Sequence, residues 1–231
     1  MSEAETALIV GAGSGLSAAL ARRFRAEGME IALAARDAAK LDGLVAEFGG
    51  RAYSCDASEP VQVSALFENV EADLDAPSLV VYNASGRVRG PLIELDPEAV
   101  LNCLKISTYG GFLVAQAAAQ RMVPAGRGTI LLTGASASVK GFANSSAFAM
   151  GKFGLRGLAQ SMARELQPQN IHVAHIVVDG GIANPDRDRG DRGDDGFLDP
   201  AAIAESYFHL HSQHRSSWSW EIELRPWLET F

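Results

Sequence analysis

Cysteine is scarce: 231 residues hold two, Cys55 and Cys103. That excludes a disulfide-stapled scaffold. Each lies in an apolar context, one at a strand end and one in a helical run, so both read as small, reduced core residues, and the compartment is expected to be cytoplasmic. No uninterrupted apolar run approaches the roughly 18 residues of a membrane span. The opening Met1-Ser2-Glu3-Ala4-Glu5 also lacks the basic start of a secretion signal, so neither a membrane partner nor targeting is expected. Positive charge is in deficit, with 20 Lys and Arg against 28 Asp and Glu, a formal charge of −8 and a pI near 5.1. An acidic chain of this kind makes a nucleic-acid partner unlooked for. Histidine is rare too. His209, His211 and His214 are spaced to face different ways and read as a surface tail with no metal. His172 and His175 point to opposite faces of one strand. Three tryptophans, Trp218, Trp220 and Trp227, read as core or subunit-interface anchors.

Glycine and apolar residues are plentiful, at 23 residues and 47% of the chain, enough to bury one sizeable core, so 1–231 is expected to be a single domain. Short apolar strands are expected over 7–10, 30–34, 52–55, 78–82, 129–133, 171–178 and 218–224. Between them come helices over 15–27, 38–48, 60–70, 97–122, 146–166 and 200–211. Strands alternating with amphipathic helices mean right-handed crossovers and a parallel sheet, hence an α/β fold. Ser58 is expected to cap the 60–70 helix and Asp96 the long one, with Pro97 in its first turn and Gly110-Gly111 interrupting it. The charged, Gly-punctuated stretch that follows the sixth strand cannot bury a core. Its place beyond the carboxyl edge of the sheet makes residues 184–200 a candidate mobile loop over the substrate.

The most informative stretch is Leu8-Ile9-Val10-Gly11-Ala12-Gly13-Ser14-Gly15-Leu16-Ser17. A β-branched strand runs into three glycines and then a helix, so bare backbone N–H groups can meet a phosphate at the positive end of the helix. After the second strand the chain reads Ala34-Ala35-Arg36-Asp37. Arg36 is placed to grip a ribose 2′-phosphate bidentately, with Asp37 capping the next helix, so NADP(H) is favoured over NAD(H).

Along nearly its whole length the chain resembles the short-chain dehydrogenase/reductase family. Residues 10–17 are similar to the family's TGxxxGxG, with Val10 for Thr and Ser17 for the last Gly. Cys55-Asp56-Ala57 resembles the Asp-Val pair that holds adenine, and Tyr82-Asn83-Ala84-Ser85 matches NNAG at two positions of four. Asp179-Gly180-Gly181-Ile182 stands where PGxxxT is expected, keeping the Gly and an apolar residue for the carboxamide contact. The resemblance implies a Rossmann-type, doubly wound parallel sheet in three layers. It further implies a cofactor seat of Gly11, Gly13, Ser14, Gly15, Leu16, Arg36, Asp56, Ala57, Asn83, Ala84, Ser85, Gly180, Ile182 and Lys152. A homodimer or homotetramer built through the long helix and the 146–166 helix is implied as well.

The catalytic segment departs from the family. There a Tyr and a Lys at i and i+4 act together, the Tyr giving a proton to the carbonyl and the Lys lowering its pKa. This chain has Phe148-Ala149-Met150-Gly151-Lys152. The family's Ser position falls at Ala135, with Ser136 next and Ser138 beyond; the Asn position falls near Ser107. The catalytic candidates are therefore Lys152, Ser136 and Phe148, with Ser138, Tyr109 or a water on Lys152 as substitute proton donors. Two functions are compatible with this pattern. One is an NADP(H)-dependent oxidoreductase acting on a small carbonyl or alcohol with an atypical donor. The other is a catalytically silent NADP(H)-binding sensor or scaffold. A methyltransferase reading of the glycines lacks the acid after the second strand, and a hydrolase reading of 134–138 lacks the closing Gly of GxSxG.

Overall fold

The computed structural model describes residues 4–184, 186, 190, 193 and 195–229. Its first half alternates β1 (Thr6–Val10), α1 (Leu16–Ala26), β2 (Glu30–Ala35), α2 (Asp42–Phe48), β3 (Arg51–Ser54), α3 (Pro60–Leu74) and β4 (Leu79–Tyr82). The second half runs α4 (Pro97–Leu104), α5 (Gly110–Ala125), β5 (Gly128–Thr133), α6 (Ser146–Leu166), β6 (Ile171–Val178), α7 (Pro200–Ser212) and β7 (Glu221–Leu224). The described strands form one seven-stranded sheet in the order β3-β2-β1-β4-β5-β6-β7, every neighbouring pair parallel. This is the doubly wound α/β sheet expected.

The strands of the sheet's centre are apolar at every position because helices cover both faces. Leu8 and Val10 of β1 join the core beneath α3, α5 and α6; Ala7 and Ile9 join the core beneath α1 and α7. Strand order reverses between β1 and β4, where the chain leaves β1 toward one side and β4 toward the other. That divergence opens a crevice at the carboxyl ends of the strands.

Several local expectations are corrected. The helix over 97–122 is not broken at Gly110-Gly111: α4 passes into α5 through a π-helical turn, Lys105–Tyr109. The glycines do serve close packing, as expected, because a Cβ on Gly111 would fall 2.5 Å from Leu155 Cδ1, and one on Gly110 would fall 2.8 Å from the Ala57 carbonyl oxygen. Ser58 does not cap α3, whose cap position is Glu59; its hydroxyl and N–H are both given to Asp56 Oδ1, at 2.7 and 2.9 Å. Asp37 makes no capping bond and instead pairs with Lys40 at 3.3 Å. Asp96 caps α4 as expected, accepting from the N–H groups of Glu98 and Ala99.

The carboxyl-terminal segment also differs. Of the two alternatives for the tryptophans, core or subunit interface, the first does not hold: Trp218 stacks on His172 with ring centroids 4.8 Å apart, Trp220 is exposed, and Trp227 is 85% exposed. His211 is no loose tail, since it bonds Thr129 Oγ1 at 3.0 Å and Glu5 at 3.1 Å, tying α7 to the sheet. Among the described residues no helix is long and apolar enough to cross a membrane, and no group of His, Cys, Asp and Glu could hold a metal ion. Of the proposed loop, residues 185, 187–189, 191, 192 and 194 lie outside those described. Its base is a bridge between Ile182 and Leu198.

Candidate functional site

A cleft of about 790 Å³ occupies the crevice at the switch between β1 and β4. Its floor is the 11–17 turn. Gly11 holds φ +86, and a Cβ there would come within 2.6 Å of the Ala84 Cα, so the turn can lie against the end of β4 only as glycine. Gly11 and Ala12 both donate to the Ala34 carbonyl at 2.9 Å, which bends the chain away from β2. Helix α1 then starts at Leu16 with no side chain capping it, leaving its first N–H groups to the cleft. A Cβ on Gly13 would meet no protein atom within 4 Å, so the turn is open on the side where a pyrophosphate would approach. These residues fit a dinucleotide.

The sequence-predicted residues Gly11, Gly13, Ser14, Gly15, Leu16, Arg36, Asp56, Ala57, Asn83, Ala84, Ser85 and Ile182 all line this one cleft. Asn83 locks it: its N–H donates to the Val10 carbonyl at 2.8 Å and its amide to Ser17 Oγ at 2.8 Å, while Ser17 Oγ reaches the Gly11 carbonyl at 3.2 Å. At the Arg36 end of the cleft Asp56 is held by Ser58, which with the nearby Arg36 keeps its carboxyl below the usual range. Gly180 lies elsewhere, with φ +151 and Pro226 packed where a side chain would be. Asn184 crosses toward the turn, its amide nitrogen 2.8 Å from the position of a Cβ on Gly15.

Sequence reasoning missed Lys40, a second cation on the cleft wall near Arg36, and Ile106, which enters from the π turn. Spacing gave no signal for Ile106, because an ordinary helix would have turned it away; the extra residue of the π turn re-aims it. Three bonds hold that turn. Tyr82 donates its hydroxyl to the Ile106 carbonyl, Ser107 Oγ accepts from the Gly86 N–H at 3.0 Å, and Thr108 Oγ1 donates to the Gly151 carbonyl at 2.7 Å.

Beyond the cleft, at the carboxyl end of β5, lies the segment expected to be catalytic. Lys152 is 3% exposed and its Nζ donates to the Thr133 carbonyl at 2.7 Å. Burial first, and then the charge of Arg87, lower its pKa to about 8, against a smaller opposing effect of the Cys103 thiol. Phe148, 9% exposed, has the Arg87 guanidinium carbon 4.4 Å from its centroid and Lys152 Nζ at 6.0 Å. The Ser136 hydroxyl is engaged with Asp179, whose carboxylate also bonds Arg225 at 2.6 Å and Lys140 at 3.5 Å. Ser138 is buried and accepts from the Ala135 N–H at 3.1 Å. Tyr109 is not near this site; it lines an apolar groove between α4, α5 and α6, beside Phe112.

A glycine turn at the switch point of a parallel 3-2-1-4-5-6-7 sheet defines a doubly wound nucleotide-binding protein. Comparison narrows the class. The short chain dehydrogenase family model matches residues 5–188. The (3R)-3-hydroxyacyl-CoA dehydrogenase of Mus musculus is 33% identical over 193 residues, covering 78% of this chain and 74% of that protein. A short-chain dehydrogenase of Rhodopseudomonas palustris superposes with TM-score 0.83 at 36% identity, covering 96% and 99% of the two chains. A metagenomic short-chain oxidoreductase solved in complex with NADP gives TM-score 0.83 at 27% identity, covering 97% and 98%. The chain belongs to the short-chain dehydrogenase/reductase family of oxidoreductases.

Proposed function

We propose that the protein is an NADP(H)-dependent oxidoreductase moving a hydride between the nicotinamide and a small carbonyl or alcohol, with a proton source other than a tyrosine. In this reading the N–H groups of Gly13, Ser14, Gly15 and Leu16 take the pyrophosphate, Gly11 allows the turn, and Arg36, helped by Lys40, takes the 2′-phosphate. Asp56 and Ala57 would meet the adenine, Asn83, Ala84 and Ser85 would flank the nicotinamide ribose, and Ile182 would meet the carboxamide. The relative solved with NADP supports the phosphorylated cofactor, as do the two cations on the cleft wall.

The observation that carries the reading is Lys152, a buried ammonium held at the carboxyl end of β5 by the Thr133 carbonyl. When bound, the reduced cofactor supplies the hydride. Lys152 donates to a ribose hydroxyl and, through one water, delivers the proton that neutralises the alkoxide; solvent then recharges the amine. Ser136 is held by Asp179, so it orders the catalytic segment, and Phe148 supplies an apolar wall that excludes water from the reacting carbon. Losing a positioned phenol costs about 10²–10⁴-fold in rate, which leaves a slow enzyme.

The test is NADPH oxidation over a panel of aldehydes, ketones and oxo acids, beside thermal shifts with NADPH and NADH. Stabilisation by NADPH with steady turnover of any panel member supports the reading, and no stabilisation by either dinucleotide overturns it. A second reading, a silent NADP(H)-binding sensor or scaffold, is favoured by the replacement of the hydroxyl at Phe148 together with Ala135 and Ser107 at the other family positions. Binding without turnover is its signature. We also propose a homo-oligomer, a dimer or tetramer, supported by the apolar groove where Leu101, Phe112 and Met150 are exposed between α4, α5 and α6. The two buried free thiols suit a cytoplasmic setting.

A further inference from the structure

The proposed reaction leaves one buried ionisable group of β6 unused. His175 is fully buried and pairs in register with Leu132 of β5. By strand alternation it shares a face with Ile171 and Val173, the face that α6 covers. Two residues past Leu132 comes Gly134, where a Cβ would fall 2.3 Å from His175 Nε2. Only glycine there admits the imidazole. The Gly134 N–H goes to the Ile176 carbonyl at 2.7 Å, and the carbonyl of the same peptide group, that of Thr133, accepts from Lys152 Nζ at 2.7 Å. The imidazole and the ammonium therefore flank one peptide unit.

The protonation of the ring is fixed from its other side. Nδ1 lies 2.9 Å from Glu221 Oε2 of β7, and Glu221 is gripped by Arg156 Nε and Nη2 at 2.7 and 2.8 Å. Burial pushes the Glu221 carboxyl up, but the bonds from Arg156 and then His175 bring it below its ordinary range, so it is ionised and can only accept. Nδ1 therefore carries the hydrogen. Burial lowers the imidazole pKa to about 4, against the bond and charge of Glu221 and together with the charges of Lys152 and Arg156. Near neutral pH the ring is uncharged, and Nε2 is a bare lone pair. That nitrogen is buried and has no hydrogen-bond partner among the described residues. A buried acceptor left unpaired is costly, and a contact too long for a direct bond between polar groups is commonly made through a water.

We propose that His175 is the positioning residue of Lys152, its Nε2 accepting from the ammonium through one bridging water, so that Lys152 keeps its proton and its aim at the end of β5. Arg156, Glu221, His175 and Lys152 then form a row from the part-exposed surface at β7 to the catalytic segment. A hydrogen bond to the charged form favours it, and so opposes the burial and the Arg87 charge that lower the pKa of Lys152; the Cys103 thiol acts in the same sense as His175. The proposal rests on the oxidoreductase reading for the use made of the proton, while the link between the two side chains is read without cofactor or substrate.

The test follows both partners. In the parent, with histidine labelled by nitrogen-15, Nδ1 of His175 is expected to bear the hydrogen and the Nε2 resonance to inflect near pH 8, as Lys152 titrates. In Lys152→Met that inflection is expected to vanish. A hydrogen on Nε2, a resonance without an inflection in the parent, or one that keeps it in Lys152→Met overturns the proposal. The second measurement is urea unfolding against pH, each protein compared with the same protein carrying Lys152→Met. His175→Leu is expected to move the Lys152 midpoint down by about one to two pH units, the worth of one hydrogen bond to a charged group. His175→Gln, whose amide oxygen can stand in for Nε2, is expected to show a smaller shift. A residue that only fills space would leave the midpoint unmoved, and that result, or equal shifts in the two variants, overturns the proposal. The nitrogen-15 measurement decides it if His175→Leu does not fold. Failure of NADPH to bind overturns the cofactor reading instead and leaves both measurements standing.

Discussion

Lys152 Nζ donates to the Thr133 carbonyl oxygen at 2.7 Å, a bond that pins the one buried ammonium among the described residues to the end of β5. Its pKa of about 8 lies below the 10.5 of an unfolded lysine, so between those values the unfolded chain holds a proton that the folded chain has lost. Stability therefore rises with pH across that window, and the cost is fully present below pH 8. From pH 7.5 to 9.5 the parent is expected to gain about 2 kcal/mol relative to Lys152→Met, measured by urea unfolding of both proteins at the two pH values. Parallel pH profiles for the two would refute the assignment. In the proposed mechanism the ammonium form is the donor, so reductive turnover is expected to fall over the same range.

Arg36 and Lys40 face the same end of the cleft. Bonds from a guanidinium to phosphate contribute on the order of 1.5–3 kcal/mol. Arg36→Ala is expected to weaken NADPH binding by about 10- to 100-fold and to leave NADH binding within a factor of about two, since NADH has no 2′-phosphate to lose. Lys40, tethered to Asp37, should show a smaller effect. Fluorescence titration with both dinucleotides measures this, and equal losses for the two would remove Arg36 from the selectivity role.

Two glycines of one turn should separate folding from binding. At Gly11, φ +86 and the Ala84 backbone leave no room for a methyl group. Gly11→Ala is expected to lose roughly 1–3 kcal/mol from backbone strain, with more from displacement of β4. Gly13 has open space beyond it on the cleft side, so Gly13→Ala should keep its unfolding midpoint and lose NADPH affinity. Paired melting and titration experiments decide between them. A Gly13→Ala protein that binds NADPH normally would move the pyrophosphate elsewhere.

The sheet was legible because period and punctuation agreed: each β-branched run ended at a glycine or polar turn, and β6 and α6 fall where apolar spacing puts them. The residues of the cleft were legible because they sit at strand ends, where sequence position and spatial position nearly coincide. What could not be read came from pairings across the fold. Asp37 and Ser58 have the composition of helix caps, yet tertiary partners, Lys40 and Asp56, claimed their polar groups. The π turn left no sign in the spacing, since one extra residue in a helix is visible only in which side chain reaches the cleft. The contact of Arg87 with the Phe148 ring, 4.4 Å from its centroid, has no sign in the spacing either.

The last prediction concerns that ring. Phe148 occupies the i position of the pair whose i+4 partner, Lys152, is retained, so restoring a hydroxyl there tests whether the parent lacks only its acid. A phenol beside two cations is easier to ionise than a free one, and it gives up its proton more readily to an alkoxide. For a carbonyl that the parent reduces slowly, Phe148→Tyr is expected to raise kcat about 100-fold or more while NADPH affinity stays as it was. The measurement is kcat and KM for the parent and variant on the same carbonyl substrate, with NADPH binding determined separately. An inert variant that binds NADPH as tightly as the parent would mean that Ala135 and Ser107 have reshaped the site beyond what one hydroxyl repairs, and the sensor or scaffold reading would then take precedence.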